Sequence, residues 1–355
     1  MAGLQSVNDL TVAQAVDYWL ENRKDEVRKT TWRSYKQASR YVVGPLLVGT
    51  RMDRHNHTRR GLLKSGAELI VMLGPTQITN LTTAQIRGWH KTLAIQVGSY
   101  TANAAKKILR AALCLAAEDL GTRLPPMPTR LGRGRTRSKK LILTPEQVGR
   151  LLDGAFKDKQ RGIYYAFPFL TGVRPSEQLA LFWADIKLED GLICIRRAQE
   201  PSGLITELTK TEASAREIPI SPLLRVMLLD WHNICPLGNG NDSHVFPCLG
   251  RIGRKQHKKR GRALSYTNFI YTYWRPALAT LGLPIVTPHS ARHAFISTLQ
   301  ASGVEVGLAA KLAGHASPEI TLTYYTQAVR GGEAAIRALE NAYHDQRSTP
   351  CGRSN

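Results

Sequence analysis

Two blocks, TPHSARHAF (287–295) and LAGHASPEITLTYYTQ (312–327), are the centre around which the rest of the chain is organised. Thr287 and Pro288 predict a helix N-cap followed by proline at the first helical position. His289 and Arg292, three apart, then leave one face of the first turn. There, unpaired backbone N–H groups and the positive end of the dipole favour an anion. Gly303 closes that helix. After His315, Ser317-Pro318-Glu319 predicts a second capped start, for a short helix carrying Tyr324 and Tyr325. An anion cradle beside a phenol suits attack on a phosphate, provided a further arginine joins it.

At 355 residues the chain is long enough for two domains, each with its own core. A hydrophobic share of 43% with 21% charged residues is that of an ordinary globular protein. The charge balance is not ordinary: 49 Lys and Arg against 27 Asp and Glu leave +22. Such an excess points to a polyanionic partner, nucleic acid or an acidic membrane surface. No run of about 18 apolar residues exists, and the start, with Asn8, Asp9 and Gln14, lacks a signal-peptide core. A soluble, intracellular protein is therefore expected. Five scattered cysteines (Cys114, Cys194, Cys235, Cys248, Cys351) argue against a disulfide framework. His232, Cys235, His244 and Cys248 match no common zinc-finger spacing and read as loop residues, with zinc ligation the alternative.

The first 120 residues read as helical. Thr11 and Gln14 form a capping box ahead of Val12, Ala15, Val16 and Trp19 at helical spacing. A second helix from Thr31 ends at Gly44-Pro45. Residues 49–66 are polar and basic and read as a loop. A third helix follows Thr82 or Thr83, and a fourth, capped near Thr101, stops at Gly121. Residues 121–140 hold seven basic residues and no acid among prolines and glycines, the pattern of a linker. A solvated linker would suffice, but a run of like charges gains most by lying on phosphates.

The second domain opens at Thr144-Pro145-Glu146-Gln147, a capping box with proline at the first position. Residues 161–170 form a further helix up to Thr171-Gly172, and Arg174 stands directly before Pro175. Leu192–Arg196, Leu204–Thr209 and Arg216–Ile220 carry strand signals, predicting a small antiparallel sheet with Lys210 leading into its second turn. Residues 250–262 hold seven more basic residues and no acid. A helix from Ser265 to Leu281 is interrupted by Pro276, and 332–344 make a last amphipathic helix.

TGVRPSE (171–177), TKT (209–211), HSARH (289–293) and AGH (313–315), with tyrosine nine or ten residues on, resemble the tyrosine recombinases, or phage integrases. Any single block is weak; five in order and register are specific. The resemblance implies a mainly α fold, with an N-terminal helical bundle (a SAM-like core-binding domain) and an α+β catalytic domain. The expected boundaries are 1–122, a basic linker at 123–141, a catalytic domain at 142–345 and a flexible tail at 346–355. By the same resemblance, Arg174 and Arg292 grip the scissile phosphate, and Lys210 donates a proton to the leaving 5′ oxygen. His289 and His315 complete the pocket, and Glu177 supports it. Tyr325 is the expected nucleophile, with Tyr324 the alternative. Ser290-Ala291 and Gln327 depart from the usual pattern beside catalytic positions.

The implied activity is site-specific recombination through a 3′-phosphotyrosine on a phage, plasmid or other mobile element. A topoisomerase-like nicking enzyme and a catalytically dead DNA-binding regulator are the alternatives. The expected partner is double-stranded DNA at a specific site and not a membrane, so the resemblance implies a cytoplasmic, nucleoid-associated protein. It would be bound by a homo-tetramer that exchanges its C-terminal helix, with room for an accessory DNA-bending protein. Arg133, Arg135, Arg137, Lys139 and Lys140 of the linker are expected on DNA, as are Arg254, Lys255, Lys258, Lys259 and Arg260. No metal, ATP or other cofactor is implied, because guanidinium and ammonium groups supply the positive charge. No separate arm-binding domain is expected ahead of the first helix.

Overall fold

The computed structural model describes residues 10–121, 127–128, 131, 141–208, 215–238, 240–250 and 261–314. The chain divides into two compact units, Met1–Ser138 and Lys139–Asn355.

In the first unit, α1 (Val12–Arg23) starts at the Thr11 capping box, in which the Thr11 hydroxyl accepts from the Gln14 N–H at 3.3 Å. It is followed by α2 (Lys29–Val43), β1 (Leu46–Leu47), α3 (Arg51–Arg60), β2 (Leu69–Ile70), α4 (Thr83–Val97) and α5 (Ser99–Asp119). Helix α5 lies against α1, α2 and α4. It buries Ala105, Ile108, Leu109, Ala112 and Ala116 into a core with Val12, Val16, Trp19, Ile86 and Leu93. The alanine-rich face lets its neighbours approach closely. Residues 49–66 are a correction: α3 occupies the middle of this expected loop. Its start is a capping box of Thr50 and Asp53, and it ends at Gly61 with φ of 65°. Because α3 buries no residue, it carries no apolar period; the caps were its sequence signal.

The second unit begins with α6 (Pro145–Lys157), capped by Thr144 and Gln147 as the sequence predicts. Helix α7 (Gly162–Thr171) is apolar on all sides and is the centre of the core. Pro168 inside it has no N–H for the carbonyl of Tyr164, one turn back. The Gln178 side-chain amide donates to that carbonyl instead, at 2.8 Å. Next come α8 (Pro175–Gln178), β3 (Ile186–Lys187), β4 (Leu192–Ile195), β5 (Arg197–Gln199), β6 (Ile205–Glu207), β7 (Arg216–Pro219) and α9 (Pro222–Ile234). The expected strands divide between two antiparallel sheets, one of order β3-β4-β7 and one formed by the β5-β6 hairpin. In the first, Ile195 faces Arg216 and Ile193 faces Ile218.

The helix expected from Ser265 to Leu281 appears as α10 (Tyr266–Asn268), a π-helical segment over Phe269–Trp274 and α11 (Arg275–Thr280). Pro276 has no N–H to offer the carbonyl four residues before it and its ring crowds that carbonyl, which favours a wider turn; the Arg275 N–H accordingly donates to Ile270 O, five residues back. Helices α12 (Pro288–Ala301) and α13 (Val306–Ala313) complete the described chain. Buried polar tips find acceptors: Trp231 Nε1 donates to Val245 O and Trp274 Nε1 to Val286 O, both at 2.7 Å.

Candidate active site

Helix α7 ends at Gly172, whose φ of 65° is left-handed. Two residues on, Arg174 caps α8. Its main-chain N–H donates to Glu177 Oε2 at 2.9 Å and its Nη1 to Glu177 Oε1 at 2.6 Å. Its Nη2 donates to the carbonyl of Gly314 at 2.7 Å, the residue just past α13. Arg292, on the first turns of α12, is 1% exposed and donates from Nη1 to the carbonyl of Gly172 at 3.1 Å. The two arginines named from sequence are thus joined through one short turn: Arg292 holds the carbonyl two residues before Arg174.

The support beneath them is a group the sequence reading did not assemble. Glu177 is 1% exposed and receives Arg174 on one oxygen and Arg216 Nη2 on the other, at 2.8 Å. Arg216 Nε donates to the carbonyl of Leu312 at 2.8 Å, in the last turn of α13. Burial pushes the Glu177 carboxyl upward. The hydrogen bond and charge of Arg216, with the charge of Arg174, outweigh that, and the net shift is down. Glu177 therefore stays ionised between two guanidinium groups. A period-two signal did exist for Arg216: it shares a strand face with Ile218, which is buried.

His289 is exposed at the start of α12, its ring edge-on to His293 at 4.7 Å between centroids. The Thr287 side chain makes no cap bond to the helix backbone; its hydroxyl lies 3.0 Å from that of Ser290. Lys210, His315, Tyr324 and Tyr325 lie outside the described residues. So do Arg133, Arg135, Arg137, Lys139, Lys140, Arg254, Lys255, Lys258, Lys259 and Arg260, together with the helix expected at 332–344. Of the cysteine and histidine set, His232 packs edge-on to Trp183 and His244 against Phe182. Among the described residues no three His, Cys, Asp or Glu side chains form a group able to hold a metal. No described helix is long and apolar enough to cross a membrane.

The sequence model of the Phage integrase family matches residues 142–330, more than half of the chain. The chain belongs to the phage integrase family. Two curated relatives are similar to it. One is a tyrosine recombinase XerC-like protein of Caldanaerobacter subterraneus, 26% identical over 186 residues, 49% of this chain and 47% of the relative. The other is the transposase from transposon Tn916 of Enterococcus faecalis, 25% identical over 286 residues, 72% of this chain and 65% of the relative. The chain thus spans about half to two-thirds of these relatives' length. Among solved structures, a Tn1549 transposon integrase in complex with a circular intermediate DNA shares the fold, with a TM-score of 0.69 at 20% identity. The match covers 94% of this chain and 99% of that one.

In this member of the phage integrase family, Gly172 is closely packed. A Cβ placed there would lie 2.3 Å from Phe295 Cδ1, in a backbone conformation that side chains disfavour. Gly172→Ala is expected to destabilise the second unit by about 1–3 kcal/mol through overpacking. It also shifts the carbonyl that holds Arg292. Thermal melting checks the effect, and an unchanged melting temperature would contradict the packing argument.

Proposed function

We propose that this phage integrase is a site-specific DNA strand-transfer enzyme of a mobile element, cutting and rejoining duplex DNA through a 3′-phosphotyrosine. The observation that carries the reading is that Arg292 holds the Gly172 carbonyl two residues before Arg174, while a buried, ionised Glu177 and the Gly314 carbonyl hold Arg174. Guanidinium forks match the non-bridging oxygens of a phosphodiester and remain charged at any working pH. Held by carbonyls and a carboxylate, they need little reorganisation as negative charge builds on phosphorus. In this reading Lys210 protonates the leaving 5′ oxygen, His289 and His315 assist at the phosphate, and Tyr325 attacks in line. The phosphotyrosine conserves the bond energy until a 5′-hydroxyl of a partner strand displaces it. The phenol, with an ordinary pKa of about 10, needs a base or positive surroundings to lose its proton. The excess of Lys and Arg supports a duplex as partner, and the proposed assembly is a tetramer on paired sites.

The test is incubation with a nicked duplex carrying the target site. An SDS-stable protein–DNA adduct is expected, together with four-way junctions. An adduct without junctions would indicate a nicking and resealing enzyme, and salt-sensitive binding without adduct a regulator. Tyr325→Phe is expected to abolish the adduct while Tyr324→Phe retains it. The reverse pattern moves the nucleophile to Tyr324, and adducts in both variants would remove the phenol mechanism.

A further inference from the structure

Arg216 belongs to none of the sequence blocks that mark the pocket, yet it stands at the start of β7, six residues after Lys210. Its side chain is 5% exposed. Nη2 donates to Glu177 Oε2 of α8 and Nε to the Leu312 carbonyl of α13, both at 2.8 Å. Arg174 makes a parallel pair of connections, to the other Glu177 oxygen and to the Gly314 carbonyl just past α13. The last carbonyls of a helix have no partner within it, and the dipole there favours a cation. Two guanidinium groups thus close the end of α13, and one carboxylate joins them.

A buried ion pair is weak evidence for stability, because desolvation takes back most of the attraction. What this one supplies is direction. A carboxylate held on one oxygen can turn about its Cγ–Cδ bond, a soft torsion, and carry its partner with it. Held on both oxygens, from α8 and from β7, it cannot. The Arg174 side chain remains 37% exposed, so it is open to a phosphate while fixed from behind.

We propose that Arg216 is a positioning residue for strand transfer: it locks Glu177 beneath Arg174 and ties both to the end of α13, so that the Arg174 fork meets the phosphate already aimed. This rests on the strand-transfer reading and adds to it a residue that acts through its neighbours. Burial pushes the Glu177 carboxyl up, and the hydrogen bond and charge of Arg216, ahead of the charge of Arg174, hold it down. Of the elements packed against α8 and β7, α7 carries Tyr164 and Tyr165, β5 Arg197, β4 Cys194 and α13 Lys311. Arg197 pairs with Asp185, the Tyr164 hydroxyl with the Pro247 carbonyl and Cys194 with Glu217. Tyr165 feels the charge of Asp158, and Lys311 is exposed. Without Arg216, burial dominates and the carboxyl takes up a proton at higher pH.

The experiment measures single-turnover adduct formation by the full chain at saturating protein across a pH series. Wild type is compared with Arg216→Met, Arg216→Lys, Glu177→Gln and the double variant Arg216→Met/Glu177→Gln. Arg216→Met is expected to react about a hundredfold more slowly at neutral pH, the loss that follows a misplacement of ~1 Å, with little change in duplex affinity. Its rate relative to wild type should fall further in acid, as Glu177 loses its charge; the ratio cancels groups that titrate in both proteins. Arg216→Lys keeps the charge, so its ratio should stay level with pH. Adding Arg216→Met to Glu177→Gln should slow the reaction far less than Arg216→Met does alone, because the two side chains act as one unit. A wild-type rate in Arg216→Met, a ratio that ignores pH, or independent losses in the double variant would each overturn the proposal. Where Arg216→Met fails to fold, Arg216→Lys decides: one ammonium cannot span Glu177 and Leu312, so a loss of roughly tenfold is expected and a wild-type rate overturns the role. Should wild type form no adduct, the strand-transfer reading fails, and melting across pH still tests Arg216. The stability gap to Arg216→Met should be widest near neutrality and narrow in acid, and a constant gap would overturn its hold on Glu177.

Discussion

Glu177→Ala is expected to lower the melting temperature of this member of the phage integrase family by roughly 6–20 °C and to abolish the DNA cleavage proposed above. Glu177 is buried and joins Arg174 to Arg216. Removing one partner of a buried ion pair leaves the other charge unsolvated, at a cost of about 3–5 kcal/mol. For a unit of this size each kcal/mol is worth about 2–4 °C. The effect depends on pH with a definite sign. The folded carboxyl titrates below its usual value of 4.5, so the ionised form favours folding. That contribution is fully present above the usual value and is lost as pH falls through the folded value. The gap between wild type and Glu177→Ala is therefore widest near neutrality and narrows in acid. Calorimetry at pH 7 and in acid reads this directly. A shift below 2 °C at neutral pH, or a gap that widens in acid, would contradict the bridging role.

Arg174→Lys is expected to slow adduct formation by about a hundred- to a thousandfold, the worth of one positioned donor in a charge-stabilising site. Charge is retained, so affinity for the duplex should change little. What disappears is the fork. Arg174 places one nitrogen on Glu177 and another on Gly314 while its side chain stays partly exposed toward solvent. A lysine has a single ammonium and cannot span both partners while keeping a planar edge for phosphate. Single-turnover cleavage at saturating protein, set beside anisotropy at matched salt, separates the two effects. A proportional loss of affinity would mean that Arg174 acts as a general phosphate contact.

The parts of the fold that were legible from sequence are those with local chemistry. Thr11-Gln14, Thr82-Gln85 and Thr144-Gln147 each form the capping box that their spacing announces. Arg174, Glu177 and Arg292 stood out because each sits at a helix start within a recognisable block. Helix α3 was missed because a helix that buries nothing has no apolar period to detect. Alternation marks a strand but not its neighbour, so the separation of β5-β6 from β3-β4-β7 could not be read. Arg216 was overlooked for a similar reason: its partners, Glu177 and the Leu312 carbonyl, are 39 and 96 residues away. Main-chain carbonyls as acceptors, at Gly172, Leu312 and Gly314, leave no trace in residue identity.

Those acceptors also set an order of events during synthesis. The contacts of Arg174 with Gly314, Arg292 with Gly172 and Arg216 with Leu312 close spans of 140, 120 and 96 residues. None can form until the later member has cleared the ribosome, and domains fold from the N-terminal side as they emerge. A transcript ending before codon 312 therefore yields a polypeptide in which Arg174 and Arg216 keep Glu177 but lack the carbonyls that hold their other nitrogens. Premature termination thus gives a product whose two arginines are held from one side only.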